Sequence, residues 1–460
     1  MTQSLAAQAN ELIAEARYDE ALDAMHRMGD PTGNASLLQN IGVCHYRLGD
    51  YQNALIHLRR ALDARPHDTQ IINNIAVISS EVGPAEVIDE AVLTAPTLND
   101  VGLNAYFLGD FENARRHLLR AIALKPDHYA AYHNLADMLE PEESTEWLAK
   151  IDRLKPEAPD DVAAIGYLRA HLHDQMGAHK EAIAAWGDAA AARRASFARP
   201  FNAAAHDALL LRIEQTFTTE YLRRLQTGSV DERRHIFIVG LPRSGSTLTG
   251  RLISGDESVI DLGERRMLAT QVIEQLDGIG GPHADAFSKL TPAHATAIHR
   301  GYVSDLAPAG VFLDKYLENL LFLGLIWAAF PNARIIYTHR DRFDSLFSSY
   351  TKNFTMGNEW TYQPSDLAAY ADAADRLMHH WAKVLPPDIL MTSRYEELTQ
   401  DPKGKLKLLA DHCGISADKA TNQGHRTGGM VRTASAKQVR GAVKRRDKSP
   451  YEAYKPLISF

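Results

Sequence analysis

Cysteine is nearly missing from this 460-residue chain: Cys44 and Cys413 are its only two, and they lie far apart in sequence. A pair so placed excludes a disulfide framework or a cysteine-rich metal cluster as the source of stability, and leaves two reduced, buried thiols as the expectation. Long apolar runs are missing too. The longest, Leu320 to Phe330, is too short to span a bilayer. The stretch from Met1 to Ala14 contains Glu11 and lacks the basic flank and apolar core of a secretory signal, so cytoplasmic residence is expected. Positive charge is in deficit, with 50 Lys and Arg against 58 Asp and Glu. A general nucleic-acid binder needs a basic surface to displace counterions, so any polyanion site must be local. With 45% hydrophobic and 23% charged residues, the chain has the makings of two or three buried cores.

The first half repeats itself. Ile41-Gly42, Tyr46, Gly49-Asp50-Tyr51, Ala54, Leu58, Ala61 and Pro66 return in the same order as Val101-Gly102, Tyr106, Gly109-Asp110-Phe111, Ala114, Leu118, Ala121 and Pro126. Weaker copies stand at Ala16, Tyr18, Ala21 and Met25, at Leu135-Ala136 with Pro156, and at Gly177, Ala182, Trp186 and Ala189. Unit starts at Ala35, Thr69, Ala95, Tyr129 and Ala163 are separated by steps of 34, 26, 34 and 34, so one unit is short. These residues and spacings resemble the tetratricopeptide repeat, whose small residues let two antiparallel helices approach closely and whose proline ends the second. Such arrays make concave surfaces for an extended peptide or a partner protein. No nucleophile with a neighbouring base is found in this half, and His45, His57, His117 and His173 stand at no metal-ligand spacing. Residues 190 to 234 read as a helical connector, with Leu209, Leu210, Ile213, Phe217, Tyr221 and Leu225 forming one apolar stripe.

At His235 to Val239 the pattern changes to a short continuous apolar run, which suits a buried parallel strand. A loop follows at once, Gly240-Leu-Pro-Arg-Ser-Gly245-Ser-Thr247. Gly245 permits a tight turn whose N–H groups point inward at an anion, while Ser244, Ser246 and Thr247 add hydroxyls and a helix from about Thr247 to Ile253 aims its positive end there. A nucleotide-hydrolysing loop would carry lysine where Ser246 stands. The cation is instead Arg243, inside the loop. Val311 to Lys315 reads as a strand ending in lysine, Ala333 to Asp341 as another leading into the helix of Ser345 and Ser348, and Ile389 to Leu398 as a third that passes through Tyr395.

From about Arg234 to Phe460 these motifs resemble sulfotransferases, particularly the tyrosylprotein branch. The resemblance implies a sulfuryl donor, 3′-phosphoadenosine 5′-phosphosulfate (PAPS). Arg243, Ser244, Gly245, Ser246 and Thr247 would lie at its 5′-phosphosulfate, Arg340 and Ser348 at its 3′-phosphate, and Tyr395, Ser435 and Arg440 around the nucleotide. It further implies Glu264, in Gly263-Glu264-Arg265-Arg266, as general base. Lys315 and Arg243 would stabilise charge on the departing oxygen, without a metal. Tyr451 stands where the family often has tryptophan. The bland reading of Glu264 is a solvated ion pair with Arg265 or Arg266.

The expected architecture is an all-α tetratricopeptide superhelix over residues 1–196, a helical connector over 197–233, and an α/β P-loop-type sulfotransferase domain with a central parallel sheet over 234–460. The expected activity is transfer of a sulfuryl group to a hydroxyl acceptor, a tyrosine among the candidates. The competing readings are a non-catalytic repeat scaffold and, less favoured by the loop, a P-loop kinase. Expected partners are a protein or peptide on the array, with no nucleic acid and no membrane span. The acceptor and the oligomeric state are not legible.

Overall fold

The computed structural model describes residues 5–14, 17–31, 33–65, 68–82, 93–226, 232–354, 357–418 and 448–460. They form two compact units that divide after Pro156. The first contains helices α1 (Leu5–Ala14), α2 (Tyr18–His26), α3 (Ala35–Arg47), α4 (Tyr51–Ala64), α5 (Thr69–Val82), α6 (Ala95–Leu108), α7 (Phe111–Leu124), α8 (Tyr129–Leu135) and α9 (Ser144–Ile151).

The two full repeat copies fold alike, for reasons visible residue by residue. A Cβ on Gly42 would stand 2.7 Å from Leu58 Cγ, and one on Gly102 would stand 2.9 Å from Leu118 Cγ, so each hairpin closes on a missing side chain. Asp50 and Asp110 cap the second helix of each copy, accepting from the amides of Asn53 and Asn113 at 3.2 Å. The short unit opens with α5, and residues 83–92 beyond it lie outside the description. The unit that starts at Tyr129 departs from the repeat. Its first helix stops at Leu135 and gives way to a 3₁₀ turn, Ala136–Met138. Arg115 donates to Met138 O at 2.7 Å and pairs with Glu143 at 2.5 Å, which satisfies the interrupted backbone.

The second unit begins with a hairpin of α10 (Pro159–Gln175) and α11 (His179–Ala195), then α12 (Ala203–Thr216) and α13 (Thr219–Leu225). There follow β1 (Arg234–Gly240), α14 (Ser246–Ile253), β2 (Val259–Asp261), α15 (Met267–Ile279), α16 (His283–Ala286), α17 (Pro292–Tyr302) and β3 (Val311–Asp314). After a 3₁₀ segment, Leu317–Phe322, come α18 (Leu323–Ala329), β4 (Arg334–His339), α19 (Arg342–Tyr350), α20 (Pro364–Val384), β5 (Leu390–Arg394), α21 (Tyr395–Gln400) and α22 (Pro402–Cys413). The longest apolar run, Leu320 to Phe330, is therefore 3₁₀ first and α only from Leu323.

All five strands run parallel, in the order β2-β3-β1-β4-β5. The continuous apolar run of β1 is explained by burial on both faces. Phe237 and Val239 enter one core and Ile236 and Ile238 the other. The first of these cores also takes Tyr167, Trp186 and Ala189 from α10 and α11, and Leu210, Ile213, Phe217, Tyr221 and Leu225 from the connector stripe. So α10 and α11, which the repeat period groups with the array, share the core of the sheet. Strand β1 is flanked by β3 on one side and β4 on the other, so the winding reverses there. The crevice at such a reversal opens beyond the carboxyl ends of the strands. Among the described residues no helix is long and apolar enough to cross a membrane.

Candidate active site

Five of the sites the sequence singled out in this half stand at the carboxyl edge of the sheet, and Ser348 follows on α19. The loop 241–245 follows β1, Glu264 follows β2, Lys315 follows β3, Arg340 follows β4 and Tyr395 follows β5. Ser435 and Arg440 lie outside the described residues.

The loop is braced from below and from one side. Gly240 pairs with Thr338 of β4. Thr338 Oγ1 donates to Val239 O at 3.2 Å and receives the Ser244 hydroxyl at 2.7 Å. Ser244, expected as a donor to an anion, is thus 2% exposed and spends its proton on the sheet. Arg243 has φ of +65°, the left-handed region that costs a residue with a Cβ about 1–2 kcal/mol. Its neighbours hold it there: Ser345 Oγ donates to Pro242 O at 3.1 Å, and Arg340 Nη1 to Arg243 O at 3.4 Å. Gly245, at φ +101°, could not carry a side chain even if its backbone allowed one, because a Cβ would stand 2.8 Å from the Tyr395 ring. Among the described residues, the amides of Gly245 and Ser246 find no acceptor at the start of α14. The loop can therefore offer N–H groups to an anion.

A second cationic centre lies beside it. Arg243 Nε donates to Ser348 Oγ at 2.9 Å. Arg340 is 8% exposed, pairs with Asp344 at 2.9 Å, and lies 4.8 Å from the centre of the Tyr395 ring. Its Nε is buried without a hydrogen-bond partner. A buried donor without an acceptor is costly, so this group has a hydrogen bond left to give.

The remaining pair is set by strand pairing that continues past β2. Leu262 N donates to Leu313 O and Lys315 N to Gly263 O, both at 2.8 Å, which brings Glu264 to the same rim as Lys315. The Lys315 stem lies in a groove over Gly250 of α14, where a Cβ would stand 2.7 Å from its Cδ. Its ammonium is 3.8 Å from Asp261, a residue without a motif to mark it in the sequence. Glu264 is an exposed residue that feels the charges of Lys315 and Asp261. Crowding by protein atoms raises its pKa, the nearby Lys315 charge works against that, and Asp261 adds to it. Neither arginine beside it is its partner. Arg265 pairs with Asp305 at 2.5 Å, and Arg266 lies 5.9 Å from the centre of the Tyr316 ring.

Behind Lys315 sits Asp314, 1% exposed, which accepts from Tyr316 N at 2.8 Å and from the Tyr302 hydroxyl at 3.0 Å. These bonds fix the turn that carries Lys315. Burial pushes its carboxyl up to about 7, against the lowering by its hydrogen bonds. The folded state thus holds this proton more tightly than the unfolded chain does, so the stabilisation is full at acid pH and is lost as pH rises through the native value. Asp314→Asn cannot ionise, and its melting temperature should gain on the wild type between about pH 5 and about pH 8. Parallel melting curves against pH would show that Asp314 does not titrate in that range.

A model described as the sulfotransferase family matches residues 235–419, and two models of the tetratricopeptide repeat match residues 3–67 and 95–128. An uncharacterized protein of Aquifex aeolicus (strain VF5) is 26% identical over 269 residues, which cover 55% of this chain and 35% of that protein. The chain thus spans about a third of that relative. Photosystem I assembly protein Ycf3 of Synechococcus elongatus is 32% identical over 132 residues, 28% of this chain and 68% of Ycf3. Among solved structures, a sulfotransferase domain from the curacin biosynthetic pathway aligns at 18% identity and a TM-score of 0.31, over 44% of this chain and 81% of that one.

Proposed function

The chain joins tetratricopeptide repeats to a sulfotransferase-family domain, and from that premise we propose that it is a cytoplasmic enzyme transferring a sulfuryl group from PAPS to a hydroxyl acceptor. The observation that carries the choice of donor is Arg340, a buried guanidinium with an unused Nε, next to Ser348 and joined by Arg243 to the anion loop. Two linked cationic centres suit a nucleotide with phosphate at both the 5′ and 3′ positions. A guanidinium fork suits the dianion at the second.

Bound PAPS would supply an activated sulfuryl group on its 5′-phosphate. The loop amides and Arg243 would hold the 5′ end, Arg340 and Ser348 the 3′-phosphate, with Tyr395 packed between Arg340 and Gly245. Glu264 takes the acceptor's proton as the new oxygen–sulfur bond forms. Lys315 and Arg243 would stabilise the electron pair left on the bridging phosphate oxygen of the donor as its sulfur–oxygen bond breaks. The repeats would recruit a protein or peptide, the acceptor itself or a partner that presents it.

The donor assignment is tested with Arg340→Lys, because alanine would strand the buried Asp344 carboxylate without a counter-charge. Lysine keeps the charge and loses the fork. Its affinity for PAPS and for 3′,5′-ADP should fall about tenfold, while adenosine 5′-phosphosulfate, lacking the 3′-phosphate, should bind as before. Equal losses for all three ligands would remove Arg340 from the 3′-phosphate site. Binding of ATP with magnesium in place of 3′,5′-ADP would favour the kinase reading.

A further inference from the structure

The C-terminal residues 448–460 supply side chains to the surroundings of Arg340: Ser449, which no motif marks, and Tyr451, at the position where the resemblance expects tryptophan. The Ser449 hydroxyl donates to Asp344, on the carboxylate oxygen that Arg340 does not use. Ser449 Oγ also receives Tyr451 N at 3.0 Å, which turns the Tyr451 ring inward. The Tyr451 hydroxyl donates to Ser348 Oγ at 3.1 Å, and the ring centre lies 5.8 Å from the Arg340 guanidinium. Ser348 Oγ therefore receives two donors, Tyr451 Oη and Arg243 Nε. Its lone pairs are occupied, and its one proton has no acceptor among the described residues. A hydroxyl so placed has a proton to give to an incoming acceptor oxygen, and Arg340, linked to it through Arg243, has an unused Nε as well.

What fixes this segment is Tyr454, 2% exposed. Its hydroxyl donates to Asp174 of α10, so the 3.0 Å contact with His179 Nδ1 of α11 is one in which the histidine donates. Its ring stacks on Phe347 with centres 4.6 Å apart and meets Trp186 of α11 edge-on at 5.6 Å. Tyr451 lies against the same Phe347 at 5.0 Å, one residue before Ser348 on α19. The α10–α11 hairpin, Tyr454 and α19 thus make one packed stack that reaches Tyr451 beside Ser348.

We infer that Ser449 and Tyr451 belong to the pocket around Arg340 and Ser348, and that Tyr454, gripped by Asp174 and His179 of the hairpin, is the positioning residue that sets them. This rests on the donor assignment above, and gives the last helical hairpin a part in nucleotide affinity rather than in partner recognition.

The test uses the full chain with Tyr454→Phe, which keeps the ring and loses the grip on Asp174, and with Asp174→Asn, which leaves the tyrosine untouched. Calorimetry with 3′,5′-ADP and with adenosine 5′-monophosphate is the readout. Each variant should weaken 3′,5′-ADP about five- to tenfold and adenosine 5′-monophosphate less than about twofold, with the kinetic loss in donor KM rather than in kcat. Tyr451→Phe should do the same, and adding Tyr454→Phe to it should cost little more, because both act through one hydroxyl. A general loosening of the fold would instead weaken both ligands alike and add in the double variant; either result overturns the inference. Wild-type affinity for 3′,5′-ADP retained in all the variants also overturns it and leaves the donor assignment standing. A wild type that does not bind 3′,5′-ADP overturns both.

Discussion

Glu264→Gln is expected to lower kcat about 10²–10⁴-fold while 3′,5′-ADP affinity stays within about twofold, because the substitution keeps the shape of the site and removes the proton acceptor. The placement of Glu264 makes this a sharp test. Its side chain is exposed within the field of Lys315 and Asp261, and the two arginines next to it in sequence are engaged with Asp305 and Tyr316. A surface ion pair would predict under about 1 kcal/mol of stability and no rate effect. Two further readouts come from its chemistry. The loss should shrink for a nitrophenol relative to an alkyl alcohol, since a more acidic hydroxyl needs less help. The base must be ionised, and crowding holds its pKa above the ordinary carboxylate range, so activity should disappear on the acid side at a higher pH than an unperturbed glutamate would give. Near-wild-type turnover of Glu264→Gln with both acceptors would remove it from the mechanism.

Lys315→Ala should cost about 10²–10³ in kcat, the size of losing one preorganised donor to a developing negative charge, with product-nucleotide affinity within a few fold. The bed on which the lysine lies offers a second way to the same end. Gly250→Ala removes no charge but would place a methyl group 2.7 Å from Lys315 Cδ, displacing the stem from its groove. It should reproduce part of the kcat loss and leave the chemistry of the ammonium untouched. A fall in nucleotide affinity with turnover intact would make Lys315 a binding group.

How far the sequence reveals this site depends on whether a residue acts through its own motif or through what the fold brings to it. The loop after β1 was legible because its glycine, hydroxyls and arginine are contiguous. Lys315, Arg340 and Tyr395 were legible because each ends a short apolar run, and the ends of parallel strands share one edge. β2 is three residues long, too short for any period to show. Asp261 was silent as a site residue, since an aspartate near a strand end is common and only pairing put it beside Lys315; Asp314 adjoins Lys315 and Asp344 stands four residues after Arg340, so their neighbours were legible and their burial was not. Ser244 was legible as a hydroxyl in the loop, but not the direction in which it points. The period of the repeats grouped α10 and α11 with the array, because small residues at helical spacing report that two helices pack closely and not what they pack against next. The stop at Leu135 went unseen for a related reason: Arg115, which captures the Met138 carbonyl, belongs to the preceding helix pair.

An exchange of recognition modules by recombination would have one clean junction in this chain. A crossover after Pro156 would replace the repeats and leave the second unit's core intact. A crossover at residue 196, where the last repeat ends in sequence, would strip Tyr167, Trp186 and Ala189 out of that core, and large aromatic deletions of this kind cost about 3–5 kcal/mol each. It would also take away Asp174 and His179, the grip on Tyr454. Descendants that change their partner should therefore inherit the α10–α11 hairpin together with the enzyme, however much its residues look like one more repeat.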